Sequence, residues 1–274
     1  MNGGRANFYY VEEITMNIIA IVNNKGGVGK TTSAVNLAAG IAAGNHRVLL
    51  VDLDAQGSAS LSLGLSRDEL APGTAEVILD TFPIRDAIRS SSVNGVDILP
   101  GSMELASADL ALSVVKGREV AAKKALKPII KDYDFIILDC PPSLGLLTVN
   151  ALTASDFFII PITLDYLALE GLINFMHAVE KIKSGIGGKI AAPLGILFTL
   201  ADHRLNVTEE IGQIIRSHYD DLVFRTEIRG NVRLKEAPSF GKSIFDYDHG
   251  SAGAEAYRAL TKEVLKRIKK AMIP

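Results

Sequence analysis

The sequence predicts a doubly wound α/β fold, a mostly parallel sheet with helices on both faces. Two features carry that expectation. Seven short apolar runs lack the alternation of a half-exposed strand, which marks strands covered on both faces. Between them lie longer stretches whose apolar residues recur at helical spacing, and strands alternating with helices build parallel sheets.

Taken in order, "NIIAIVN" (17–23) is the first strand and Thr31 to Ala43 the first helix. "RVLLVDLD" (47–54) and "VDILPG" (96–101) are the next strands, followed by a helical pattern from Ala106 to Lys131. "DFIILDC" (134–140) and "DFFIIPIT" (156–163) lead into a helix from Leu167 to Ser184. "LGILFTL" (194–200), a helix from Thr208 to His218 and "LVFRTEI" (222–228) come next. A last helix, Ala252 to Ala271, carries Tyr257, Leu260, Val264 and Ile268 on one face. No repeat, low-complexity tract or linker divides the chain, so residues 16–274 are expected to form a single domain. The stretch "MNGGRANFYYVEEIT" (1–15) precedes a second methionine, Met16, at the very start of the first strand. It is either a short added arm or sequence upstream of the native start.

At 274 residues the chain can bury one large core. Hydrophobic residues make up 48% and charged residues 22%, which excludes disordered and fibrous classes. With a formal net charge of −2, no whole-molecule field draws in nucleic acid, so any such contact needs a local basic patch. The single cysteine, Cys140, excludes an internal disulfide and a cysteine-only metal site and suits a reducing compartment. At a buried strand end its thiol is expected to act as a small apolar filler. The apolar runs fall short of the roughly 18 residues that span a bilayer, and no secretory signal opens the chain. The expected location is the cytoplasm.

The chemistry starts at "NNKGGVGKTT" (23–32), where a strand runs through glycines into a helix, the setting of a phosphate-binding loop. Gly26, Gly27 and Gly29 let the backbone N–H groups of the turn, Val28 included, converge on phosphate oxygens at a helix N-terminus. Lys30 is placed for the β- and γ-phosphates, Thr31 for a magnesium ion and Thr32 for the α-phosphate. The usual pattern has glycine at position 24, where this chain has asparagine. Lys25 is a second lysine where one suffices. It lies at the entrance to the loop, pointing away from the turn that Lys30 completes.

These residues resemble the deviant Walker A box of the ParA/MinD family of P-loop ATPases, and the resemblance runs from about Met16 to the last helix. "VDLDAQGSAS" is similar to the family's switch I, "DFIILDCPPSLG" to its Walker B strand and switch II, and "NVRLKEAPSFGKSI" with "GAEAYRAL" to the ParA/Soj branch. The resemblance implies a P-loop NTPase that hydrolyses ATP with Mg2+ in a nucleotide-closed homodimer, where Lys25 crosses to the partner's phosphates. A solvated surface lysine is the ordinary alternative. It further implies that Asp54 positions or polarises the attacking water, that Asp139 holds the magnesium through a water, and that adenine rests against the loop from Asn231 to Pro238. Asp52 competes with Asp54, and a structural role at the sheet end suits it better. The family has proline after the second aspartate, and Ala55 stands there instead.

Arg225, Arg229, Arg233, Lys235 and Lys242 fall in one short stretch, and Arg204 sits in "ADHRLN". By resemblance, Arg204 and Arg233 match arginines that bind DNA without sequence preference. Arg229 is displaced by one residue from the family's basic position, in a glycine-containing loop. Ordinary solvated loop charge is the competing account for each.

The function implied is an ATP-dependent dimerising switch that binds DNA non-specifically and positions or segregates DNA or another cargo. A ParB-like or other adaptor protein would stimulate hydrolysis, and the protein would be nucleoid-associated. The runner-up is a MinD-like membrane switch, whose mark is a detachable C-terminal amphipathic helix. "EVLKRIKKAMIP" raises that question, but only Ile268, Met272 and Ile273 stand free beyond the pattern of an integral helix. An electron-transfer relative needs two cysteines per subunit for an iron–sulfur cluster, and one is present. The shortness of the segment before Met16 argues against the larger plasmid type with an N-terminal DNA-binding domain.

Overall fold

The computed structural model describes residues 17–272, so the segment 1–15 lies outside the described residues. The strands are β1 (Asn17–Ile21), β2 (Val48–Asp52), β3 (Arg89–Ser90), β4 (Val96–Leu99), β5 (Phe135–Asp139), β6 (Phe157–Thr163), β7 (Ala192–Ala201) and β8 (Ile228–Arg229). They form one sheet in the order β3-β4-β2-β5-β1-β6-β7-β8. The short edge strand β3 is antiparallel to β4, and the other pairs are parallel. The order reverses around β1, and at such a switch point a ligand crevice opens beyond the carboxyl ends of the strands.

The helices are α1 (Lys30–Ala42), α2 (Ser58–Ser62), α3 (Thr74–Ile78), α4 (Ile84–Ala87), α5 (Glu104–Leu112), α6 (Ala121–Leu126), α7 (Leu146–Ala154), α8 (Ala168–Ile186), α9 (Asn206–Tyr219), α10 (Val232–Glu236), α11 (Ile244–Tyr247) and α12 (Ala252–Met272). Alternate residues of each central strand feed two cores. Ile18, Ala20, Leu49, Val51, Ile136 and Leu138 pack into one. Ile19, Ile21, Leu50 and Ile137 pack into the other, against Leu37 and Ile41 of α1 and Tyr257, Leu260, Val264 and Ile268 of α12. Burial on both faces is why these strands read as unbroken apolar runs. The same burial makes α12 an integral helix, not a detachable one. No helix of the described residues is long and apolar enough to cross a membrane.

Two expected elements are corrected. The helix expected from Ala106 to Lys131 is broken: α5 ends at Leu112, Gly117 adopts φ +75°, and tight turns flank the short α6. Gly117 supplies a left-handed turn and Pro128 withholds an N–H, so one continuous helix is not available. The strand expected over 222–228 contracts to β8, with Val223 in a lone bridge to Ile196. Its backbone donors go elsewhere, because the N–H groups of Arg225 and Thr226 bond the Glu263 carboxylate of α12 at 2.9 and 3.0 Å. Helix α7 and strand β3 have no counterpart among the expected elements.

Gly195 of β7 packs against the buried Phe224 ring, and a Cβ built there would lie 2.4 Å from it. The ring is held from its other side by the Arg267 guanidinium, 4.1 Å from the ring centroid. Gly195→Ala should therefore destabilise the fold by about 1–3 kcal/mol through overpacking. A thermal melt with an unchanged midpoint would contradict this packing.

Candidate nucleotide site

The loop between β1 and α1 is shaped by two left-handed glycines, Gly27 at φ +74° and Gly29 at φ +79°, the latter at the N-cap of α1. Side chains brace the loop as well. Asn23 donates to the Pro161 carbonyl of β6 at 2.7 Å and accepts the Lys25 N–H at 2.9 Å, pinning the start of the loop. At the other end the buried Thr199 hydroxyl lies 2.8 Å from the Val28 carbonyl and 2.9 Å from that of Ile162, and with one proton it donates to one at a time.

The two lysines part company here. Lys30 is buried, and its ammonium folds back to donate to the Lys25 carbonyl at 2.9 Å, which holds it over the loop. Burial lowers its pKa, opposed chiefly by the charge of Asp139. Lys25 is exposed and turns away. Its ammonium pairs with the Asp165 carboxylate just beyond β6, which also accepts the Thr163 hydroxyl at 2.7 Å. Partial burial pushes the Asp165 carboxyl up, but the bonds from Lys25 and Thr163 outweigh it and hold it below the usual carboxylate range.

Asp52 and Asp139 face each other across paired strands and are fully buried. Asp52 is saturated by Asp54 N–H, Ser60 N–H and the Ser60 hydroxyl, at 3.1, 3.0 and 2.8 Å. Burial nevertheless raises its pKa to about 6. Asp139 differs: neither carboxylate oxygen has a hydrogen-bond partner among the described residues. Burial first, then the Asp52 charge, raises its pKa well above the usual value; the nearby Thr31 hydroxyl favours the ionised form without closing a hydrogen bond. A buried carboxylate with two unused oxygens, beside a threonine hydroxyl at a helix N-terminus, fits a hydrated divalent cation. Thr31 and Asp139 are the residues that could hold magnesium. Thr32 lies on the next position of α1 and lines the adjoining cavity. Asp54 is half-buried at the end of β2, close enough to raise the Lys30 pKa. Its Oδ1 accepts the Gln56 N–H at 3.0 Å, which holds the turn where Ala55 replaces the expected proline.

A cavity of about 290 Å³ opens beside the loop, lined by Gly29, Thr32, Thr199, Leu200, Asn231, Leu234, Pro238 and Tyr257 among others. Asn231 and Pro238 thus meet the phosphate loop in one cavity. The Asn231 side-chain oxygen is already engaged as the cap of α10, accepting the Arg233 N–H at 2.8 Å, which leaves its amide group for a ligand. A larger cleft of about 680 Å³, between α3 and α6, contains none of the loop residues.

Arg204, Arg229 and Arg233 follow the neighbouring strand ends of β7 and β8 and are all exposed. Arg204 forms a two-pronged pair with Asp202, at 2.8 and 2.6 Å, and Arg233 pairs with Glu236 at 2.9 Å and Asp248 at 3.5 Å. The Arg229 side chain takes part in no hydrogen bond or ion pair among the described residues. Sequence reasoning missed Asp165, Thr199 and Asn23 as site residues. Asp165 and Thr199 lie 140 and 171 positions from the loop groups they touch, and no local pattern ties them to it.

The Asp139 arrangement has a consequence for stability. A carboxyl whose folded pKa lies above its unfolded value of about 3.9 weakens the fold as pH rises between the two values. In nucleotide-free, metal-free protein, Asp139→Asn should raise the melting temperature at pH 8. The gain should vanish below about pH 4, where the carboxyl is protonated in both states. A variant no more stable than the parent at pH 8 would mean that the carboxylate is already compensated.

Comparison with known proteins agrees with this geometry. A family model described as an AAA domain matches residues 16–191. The chain is 42% identical to the chromosome partitioning protein ParA of Myxococcus xanthus over 250 residues, 91% of this chain and 88% of that protein. It is 44% identical to the sporulation initiation inhibitor protein Soj of Bacillus subtilis over 247 residues, 90% and 97% of the two chains. Among solved structures, one described as cobyrinic acid a,c-diamide synthase from Mycobacterium smegmatis, with bound ATP analog and magnesium, superposes with a TM-score of 0.80. It is 33% identical and covers 93% of this chain and 97% of that one. With loop, acidic strand ends and near full-length identity in agreement, the chain belongs to the ParA/Soj family of P-loop ATPases.

Proposed function

We propose that the protein is an ATP-driven dimerising switch that binds DNA without sequence preference and positions or segregates DNA or another cargo. The observation that carries this reading is the division of labour between the two lysines. Lys30 covers its own loop, whereas Lys25 is turned out toward Asp165 and is badly placed for the phosphates of its own chain. A charge held outside its own site suits a neighbour's. An exposed ion pair contributes only about 0.2–1 kcal/mol, so Lys25 can exchange Asp165 for a partner's phosphates at little cost. Exposed apolar residues support a second copy as that neighbour. Met103, Tyr166, Leu167, Leu205 and Val232 follow the carboxyl ends of strands, and Leu200 is exposed within β7, one residue before its end, on the edge that carries the loop.

In this reading the protein hydrolyses ATP. The loop N–H groups and Lys30 bind the β- and γ-phosphates, and Thr32 reaches the α-phosphate. Asp54 orients the attacking water by accepting its hydrogen bond. Thr31 and Asp139 would hold magnesium, which would help neutralise the charge on the phosphates. The partner's Lys25 brings positive charge to the transferring group, an effect worth roughly 10³ to 10⁵ in rate for arginine fingers elsewhere. A ParB-like or other adaptor protein stimulates turnover, and DNA held through Arg204 and Arg233 keeps the dimer on the nucleoid. The burial of α12 in the core favours DNA over a membrane as the surface bound.

Lys25→Gln tests the carrying observation. It should bind ATP as a monomer with near-normal affinity, yet fail to form the ATP dimer in light scattering and fail to turn over. Wild-type dimerisation and turnover would return Lys25 to the solvated surface.

The DNA contact has its own measurement. Two copies each of Arg204 and Arg233 in a closed dimer should give a log-affinity slope against log salt of about −3 to −4, near 0.9 per phosphate and independent of sequence. Changing either arginine to alanine removes two contacts and should flatten the slope by roughly 2. The titration uses unrelated duplexes with ATP in an Asp54→Ala background. Equal binding in ADP and ATP, or unchanged slopes, would leave these arginines as ordinary loop charge.

A further inference from the structure

Three segments distant from the phosphate loop meet at one buried serine. Ser60 in α2 donates its hydroxyl to Asp52 Oδ2 at 2.8 Å and accepts the Gly101 N–H at 3.1 Å. Its own N–H bonds the same Asp52 oxygen at 3.0 Å. The other oxygen, Asp52 Oδ1, receives the Asp54 N–H at 3.1 Å. The Asp52 carboxylate therefore ties the end of β2 to the first turn of α2, and the Ser60 hydroxyl ties both to the loop after β4. Asp52 and Ser60 are both 0% exposed, so water does not compete for these bonds.

The loops also interlock sterically. A Cβ at Gly101 would lie 2.6 Å from the Asp54 carbonyl oxygen and 2.7 Å from Asp52 Cγ. In return, a Cβ at Gly57, which sits at φ +63°, would lie 2.6 Å from the Gly101 carbonyl oxygen. The backbone of Asp54 is thus held from both sides. Its carbonyl accepts the Gly57 N–H at 3.0 Å, and its Oδ1 accepts the Gln56 N–H. Oδ2 takes part in no hydrogen bond among the described residues, which leaves it for water.

We propose that Ser60 and Gly101 are positioning residues for hydrolysis: through the Asp52 carboxylate they clamp the Asp54 backbone at the place from which its carboxylate orients the attacking water. The proposal rests on the role given to Asp54 above. Neither residue touches the phosphate loop, so the clamp acts on the chemical step and not on nucleotide affinity. A misplacement on the ångström scale costs up to about 10²-fold in rate. A residue needed only for folding would instead lower nucleotide binding and turnover together.

The test uses the full-length protein and two independent perturbations. Ser60→Ala removes the hydroxyl, and Gly101→Ala drives a methyl group between Asp52 and Asp54. For each, turnover is measured per nucleotide-binding site, with the Kd of a fluorescent ADP analogue and the melting temperature alongside. The expected result is a roughly 10- to 100-fold lower kcat with KM and Kd within about threefold of the parent, and near-complete recovery in Ser60→Thr, which keeps the hydroxyl. Parental kcat in both alanine variants, or a loss of ADP binding in proportion to the loss of turnover, would overturn the clamp. Asp54→Ala separates this from the broader reading. If that variant still turns over, the role of Asp54 falls and the clamp with it. If it is inactive while Ser60→Ala and Gly101→Ala keep parental kcat, the clamp alone falls.

Discussion

The rest of the site is arranged around an unmet electrostatic demand, the carboxylate of Asp139, buried at the end of β5 without a hydrogen bond to either oxygen among the described residues. An ion taken out of water and left unpaired costs several kcal/mol, and proteins keep such groups only where something else is to supply the partner. Here the partners on offer are Lys30 and Thr31, both on the first turn of α1 and both positioned by the same glycine loop. The apo fold carries the strain of two facing acids, Asp52 and Asp139, and the cores on the two faces of the sheet offset it. A cation would answer the Asp139 carboxylate, and a polyphosphate would answer Lys30 and the N–H groups of the loop.

Asp52 and Asp139 show how position within a sheet distributes roles among identical side chains. They are direct neighbours across a parallel pair, yet the helix that follows β2 turns its N–H and hydroxyl groups onto Asp52, while the two prolines after Cys140 have no N–H to offer Asp139. One carboxylate becomes a structural tie and the other stays open. A similar contrast separates the two lysines: Lys30 is buried and folds inward on a carbonyl, and Lys25 is solvated and folds outward on a carboxylate.

The exposed edge completes the picture. Apolar side chains that elsewhere line two cores appear uncovered after the carboxyl ends of β4, β6, β7 and β8. At the opposite extreme, α12 buries its own Tyr257, Leu260, Val264 and Ile268 in the core and turns Arg258, Lys262, Lys266, Lys269 and Lys270 to solvent. On this frame the uncovered apolar side chains lie on the same edge of the sheet as the phosphate loop.

Local chemistry was legible in the sequence because it is local. Gly27 and Gly29 supply the left-handed turns, a lysine and two threonines follow at the helix start, and an aspartate ends an apolar run; these demand no knowledge of distant contacts. The two-sided burial of the central strands was equally readable, since it leaves runs with no alternation. Where the reading failed, long-range partners had overridden it. Glu263 takes the backbone donors of Arg225 and Thr226 and dissolves an expected strand. Asp165 meeting Lys25, Thr199 bracing Val28 and Gly101 meeting Ser60 depend on which strands lie side by side and in what register. Those separations of 41 to 171 residues are closed by the sheet order alone, so only the tertiary structure could bring them to the loop.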